Sequence, residues 1–128
     1  MKLLLDTHAL LWWLSDDARL GAPAREFVAD PANDILVSVV SLWEIQVKCR
    51  IGKLAADMPE LLREIAGQGF GLLPIDPPHL LRLGSLPAHH RDPFDHLLIA
   101  QALVERATFV SDDRHAPLYD VPMVTCSG

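Results

Sequence analysis

Residues 2–14 read KLLLDTHALLWWL, and the fold class depends on how this stretch divides. Leu3, Leu4 and Leu5 make an apolar run too short for a helix and closed at once by Asp6, which suits a buried strand. Residues 8–14 continue as a short helix, broken near Ser15-Asp16-Asp17. The same alternation recurs along the chain. A helix is predicted over 23–29, a β-branched strand over 35–39, and a helix over 41–50 with Gly52 as its stop. An amphipathic helix over 59–66, a strand over 70–75 and a short helix over 79–83 follow. Residues 92–106 form the longest helix, 108–111 a strand, and 121–124 a last short strand. Strands that alternate with helices pair in parallel through right-handed crossovers. The expected fold is α/β, a three-layer sandwich with a central, mostly parallel sheet flanked by helices, in one domain spanning 1–128.

Composition supports a single packed core. Half of the 128 residues are apolar and 22% are charged, which excludes a disordered chain. With 17 acids against 11 bases the net charge is −6, the wrong sign for coating nucleic acid through bulk positive charge. An enzyme that meets nucleic acid through metal ions stays open. Cys49 and Cys126 stand 77 positions apart with no CxxC, and read as reduced thiols of a cytosolic protein. Neither a signal-peptide core nor an 18-residue apolar span is present, so the expectation is a cytoplasmic domain without a membrane segment.

Function in an open parallel sheet sits beyond the carboxyl ends of the strands. Acids stand at four such places: Asp6, Glu44 near the start of the helix after the second strand, Asp92 with Asp95, and Asp112 with Asp113. Each has a local reading. Ser41-x-x-Glu44 fits a capping box, Asp92-Pro93 an N-cap with proline at the first helical position, and Asp6 or Thr7 a cap of the first helix. Together they say more. Carboxylates that converge repel and raise one another's pKa values, and a divalent cation removes that conflict. An all-oxygen donor set suits Mg²⁺ or Mn²⁺, which can polarise a phosphodiester and acidify a bound water. Asp92 is used on the backbone, so Asp95, one turn in, is the better ligand. Zinc is disfavoured, because no histidines pair at i,i+4 and no cysteine has a partner at ligand spacing.

The segments LLLDTHALLWWL, SLWEIQVKCRIGKL and HRDPFDHLLIAQAL, with TFVSDDR after them, resemble the PIN-domain ribonucleases, closest to the VapC-like toxins of type II toxin–antitoxin pairs. The likeness runs from Met1 to about Val124. It implies a PIN-like sandwich, Mg²⁺- or Mn²⁺-dependent endonucleolytic cleavage of RNA, inhibition by a small cognate antitoxin, and a homodimer. By this resemblance Asp6, Glu44 and Asp95 match the first three acids of the family. Asp113 fits the fourth by its spacing, with Asp112 standing beside it as the other choice. Asp6, Asp95 and Asp113 would hold metal directly, and Glu44 through water or by positioning the attacking hydroxide. Thr7 and Ser111 match hydroxyls that orient the acids.

Several other residues carry expectations. Lys48, four after Glu44, reads as its i,i+4 partner. Arg50, Lys53, Arg91 and Arg114 could track phosphates, and His89-His90-Arg91 would form a cationic rim beside Asp95. HALLWWL, apolar nearly all round, predicts that a second copy or an antitoxin helix covers the first helix, the alternative being a buried core helix with one tryptophan reaching the surface. Rival functions fit less well. A phospho-receiver domain needs a lysine after a late strand, yet lysines stand only at 2, 48 and 53. A haloacid-type phosphatase needs an aspartate where His8 stands. A catalytically inactive binding module of the same fold is the remaining alternative.

Overall fold

The computed structural model describes residues 1–88 and 92–127. Its strands are β1 (Lys2–Leu5), β2 (Asp34–Ser38), β3 (Gly71–Leu73), β4 (Thr108–Val110) and β5 (Met123–Val124). They form one sheet in the order β3-β2-β1-β4-β5, with every neighbouring pair parallel. The helices are α1 (Thr7–Leu14), α2 (Ala22–Ala29), α3 (Val39–Arg50), α4 (Met58–Gly67), α5 (Pro77–Ser85) and α6 (Pro93–Glu105). A single 3₁₀ turn, Ala116–Tyr119, precedes β5. The expected α/β sandwich is the fold found. Among the described residues no helix is long and apolar enough to cross a membrane.

The leucine run of β1 lacks alternation because both of its faces are buried. Leu3 and Leu5 point to one side, into a core with Leu10, Ile45 and Ile65. Leu4 points to the other, against Leu98, Ala102 and Phe109. All three are at most 1% exposed, so β1 is the shared wall of two cores. We predict that Leu4→Ala lowers stability by about 2–5 kcal/mol, the range for truncating a buried leucine. Urea unfolding would show it as a lower midpoint at an unchanged slope.

Two sequence expectations need correction. The second strand ends at Ser38, and Val39 opens the helix instead of closing the strand. Val40, fully buried against the Leu4 side, is more useful in a first helical turn than its β-branched propensity suggests. The cap is therefore Ser38, whose hydroxyl accepts the Val40 N–H at 3.0 Å. Ser41 and Glu44 form no capping box, and Glu44 lies in the second turn. In α1 both tryptophans are half-buried. Trp13 donates its indole N–H to Gln68 at 3.1 Å and packs near Phe70, while Trp12 stacks on His8.

Both cysteines are free thiols. Cys126 is fully buried, and burial first, then the charges of Asp6 and Asp112, push its thiol up and keep it protonated.

Candidate active site

The chain leaves β1 toward β2 and β3 on one side of the sheet, while β4 and β5 lie on the other. The crevice beyond the carboxyl ends of β1 and β4 is thus the topological switch point, where ligands of such sheets bind. Asp6 emerges from one strand there, and Ser111, Asp112 and Asp113 from the other. A pocket of about 350 Å³ opens at this place, with Asp6, Asp95, Asp112 and Asp113 in its walls.

Asp6 serves two purposes. It is the N-cap of α1, accepting the Ala9 N–H at 2.7 Å, and its carboxyl faces the pocket. Burial raises its pKa, and hydrogen bonds from the Ser111 hydroxyl and the Ala9 N–H only partly offset that rise. The Ser111 hydroxyl also accepts the Asp113 N–H at 2.9 Å, so one buried hydroxyl links the acids of the two strands. Asp113 Oδ1 accepts the His115 N–H at 2.9 Å. Asp112 is drawn toward the C-terminal segment instead. Its Oδ1 accepts the N–H of Ser127 at 3.0 Å and lies 3.3 Å from that residue's hydroxyl. Of the neighbouring pair, Asp113 is the acid whose charge reaches Asp95.

Glu44 sits behind the pocket, 2% exposed, with both oxygens engaged. Oε1 accepts the Thr7 hydroxyl at 2.6 Å and Oε2 the Lys48 ammonium at 2.6 Å. The Ser41 hydroxyl, 3.1 Å from that of Thr7, completes the cluster. The Glu44 hydrogen bond is the main reason the Lys48 pKa is raised. A buried carboxylate without this partner would carry a large desolvation cost.

Asp95 lies in the first turn of α6, behind an N-cap in which Asp92 accepts the N–H groups of Phe94 at 2.9 Å and Asp95 at 3.3 Å. Proline at the first helical position completes the start that the sequence predicts. Burial first, then the charges of Asp92, Glu44, Asp113 and Asp6, push its carboxyl from 3.8 up to about 8. The charges of the other three acids singled out in the sequence thus all reach Asp95.

Among the described residues, no three of His, Cys, Asp and Glu stand close enough to ligate one ion by themselves. The donor chemistry nevertheless fits a hard divalent cation. Mg²⁺ keeps several of its waters and takes one or two carboxylates together with phosphate oxygens, not an all-protein cage. A pocket with four aspartates in its walls, one of them pushed up by burial and then by its neighbours' charge, matches that requirement. Asp6, Asp95 and Asp113 each line this pocket, with Glu44 tied back to Thr7 and Lys48.

Sequence reasoning missed His8, Trp12 and His115 in the pocket wall, beside the anticipated Arg114. The i,i+4 spacing of His8 and Trp12, one turn after Asp6, was the available signal. Their rings are 5.6 Å apart and 29° from parallel. The predicted His89-His90-Arg91 rim lies outside the described residues.

Among curated proteins, none matches the chain. Solved structures do match in fold. A chain of VapBC2 from Rickettsia felis, bound to a DNA fragment from their promoter, aligns with a TM-score of 0.74 at 14% identity, covering 98% of both chains. A chain of VapBC-1 from nontypeable Haemophilus influenzae aligns at 0.69 and 15% identity over 100% of both. VapBC-5 from Mycobacterium tuberculosis, a member of the VapBC family of toxin–antitoxin systems, aligns at 0.62 and 18% identity over 99% of this chain and 98% of that one. Identities this low speak to shared fold alone. The family model described as PIN domain matches residues 3–122, from the first buried leucine of β1 to the residue before β5. With that span matched, the chain belongs to the PIN domain family.

Proposed function

We propose that this chain is a divalent-cation-dependent endoribonuclease, cytoplasmic, and the toxin of a toxin–antitoxin pair. The observation that carries the catalytic part is the gathering of carboxyls in one pocket at the switch point, where Asp95 is raised to about 8 by burial and then by four neighbouring carboxylates. A site that disfavours its own ionised form is arranged for a cation. The fold-level likeness to chains of VapBC toxin–antitoxin complexes supports the biological role, and with it a small antitoxin partner. A homodimer is part of the same proposal.

In-line displacement at a phosphodiester needs orientation and charge neutralisation more than covalent chemistry. A bound Mg²⁺ or Mn²⁺ would lower the pKa of a water and offset charge on the phosphate. The protein's part is to hold its acids still. Ser111 fixes Asp6 and the Asp113 backbone, Thr7 and Lys48 fix Glu44, and the Asp92 cap fixes the turn that carries Asp95. Arg114, in the pocket wall, is placed to meet a phosphate.

The test is incubation of the purified chain with labelled single-stranded RNA, and with DNA of the same sequence, in Mg²⁺ or Mn²⁺ and in chelator. The expected result is internal cuts in RNA that require metal. Intact RNA under every metal condition would favour a binding module instead.

A further inference from the structure

His8 stands between two hollows. One is the acid pocket. The other, about 290 Å³, is lined by Thr7, His8, Leu11, Lys48, Lys53 and Leu54. Their chemistries are complementary. The first gathers carboxylates, whereas the second has two ammonium groups, two leucines and no carboxylate in its walls.

The ring that separates them is held in place. The His8 imidazole is exposed and stacks on Trp12, and the Arg19 guanidinium lies 5.0 Å from the centre of the Trp12 ring. Lys53 is placed by the end of α3. Gly52, at φ 77°, donates its N–H to the Cys49 carbonyl at 3.2 Å, and Lys53 donates its own to the Lys48 carbonyl at 2.9 Å. This is a Schellman turn, whose left-handed residue favours glycine. Lys48 is committed to Glu44, while Lys53 makes no ion pair among the described residues. Of the two, Lys53 is the cation open to an incoming phosphate.

We propose that this second hollow is the subsite for the nucleotide next to the scissile phosphate of a single-stranded RNA, with its base against His8, Leu11 and Leu54 and its phosphate on Lys53. Flat stacking surfaces beside a positive groove are how single strands are held without base-edge readout. The subsite rests on the nuclease reading above, and it adds the Lys53 ammonium to the Arg114 guanidinium of the acid pocket.

The experiment uses short single-stranded RNAs carrying one abasic nucleotide on either side of the cleaved bond, with Mn²⁺. At one of the two positions the abasic substitution should lower kcat/KM about tenfold for the unsubstituted protein, within the range of base–aromatic stacking. His8→Ala should lose a similar factor on intact RNA and almost nothing more on the abasic strand, since both changes remove one contact. Lys53→Ala should raise KM and reduce the salt dependence by roughly one phosphate contact, with kcat held.

Cleavage that ignores both abasic positions, or losses that multiply with His8→Ala, would overturn the subsite and leave the nuclease reading standing. No cleavage of intact RNA would overturn both. Variants that cut normally but sediment differently would assign the hollow to contact between copies, and so also overturn it.

Discussion

Asp95→Asn should melt several degrees above the unsubstituted protein in metal-free buffer near neutral pH, and it should lose nearly all cleavage. The two effects share one cause. In the folded chain the Asp95 carboxyl titrates at about 8, against an ordinary value of 3.8. Between those values the folded protein keeps a proton that the unfolded chain has released, so its stability falls as pH rises through the window. Below the lower value both states are protonated and the full stability is present. The elevated Asp6 pKa adds a slope of the same sign. Asparagine keeps the shape and removes the ionisation, so thermal unfolding of the variant should depend less on pH between about 4 and 8. The missing carboxylate would cost cleavage about 10²-fold or more, as expected when a group that acts at the transition state is lost. A variant less stable than its parent at every pH would contradict this account of the acids.

Mg²⁺ binding near pH 7 should release about one proton per ion, because a carboxylate must be ionised to ligate. Asp95 is the group that holds it, given a pKa of about 8 in the free protein. Calorimetry in buffers of different ionisation enthalpy reads the number directly. It should fall toward zero above about pH 9, where Asp95 is already ionised, and should be much reduced in Asp95→Asn. The same ion should raise the melting temperature in proportion to the logarithm of its concentration. Binding at neutral pH without proton release would place the cation away from Asp95.

Much of this site was legible because its logic is local. A short apolar run closed by an acid and followed by a helical run places Asp6 at a strand end, whatever lies elsewhere. Asp92-Pro93 marks a helix start by its own chemistry, and the four-residue spacing of Glu44 and Lys48 predicts the 2.6 Å pair. What stayed hidden depends on partners far apart in sequence. Thr7 reaches Glu44 across 37 positions, and only the family likeness suggested that this hydroxyl orients an acid. Buried His79 is fixed by the Asp76 N–H at 3.0 Å and by Glu105 at 2.9 Å, a link between α5 and α6 that no periodicity announces. The boundary at Val39 failed for a related reason. Two valines favour a strand locally, and the buried place of Val40 against Leu4 decides for a helix. Arg19 beside Trp12 needed the turn after α1 before it could be seen.

The most direct measurement is the rate of RNA cleavage by the unsubstituted protein and by Asp6→Asn, purified side by side and assayed in Mg²⁺. Asp6 caps α1 through one oxygen, and asparagine keeps an acceptor there, so the fold should survive the change. Cleavage that depends on metal and drops about 10²-fold or more in the variant is the predicted result. Equal rates in the two proteins, or cleavage that persists in chelator, would contradict a cation held by the acids at the ends of β1 and β4.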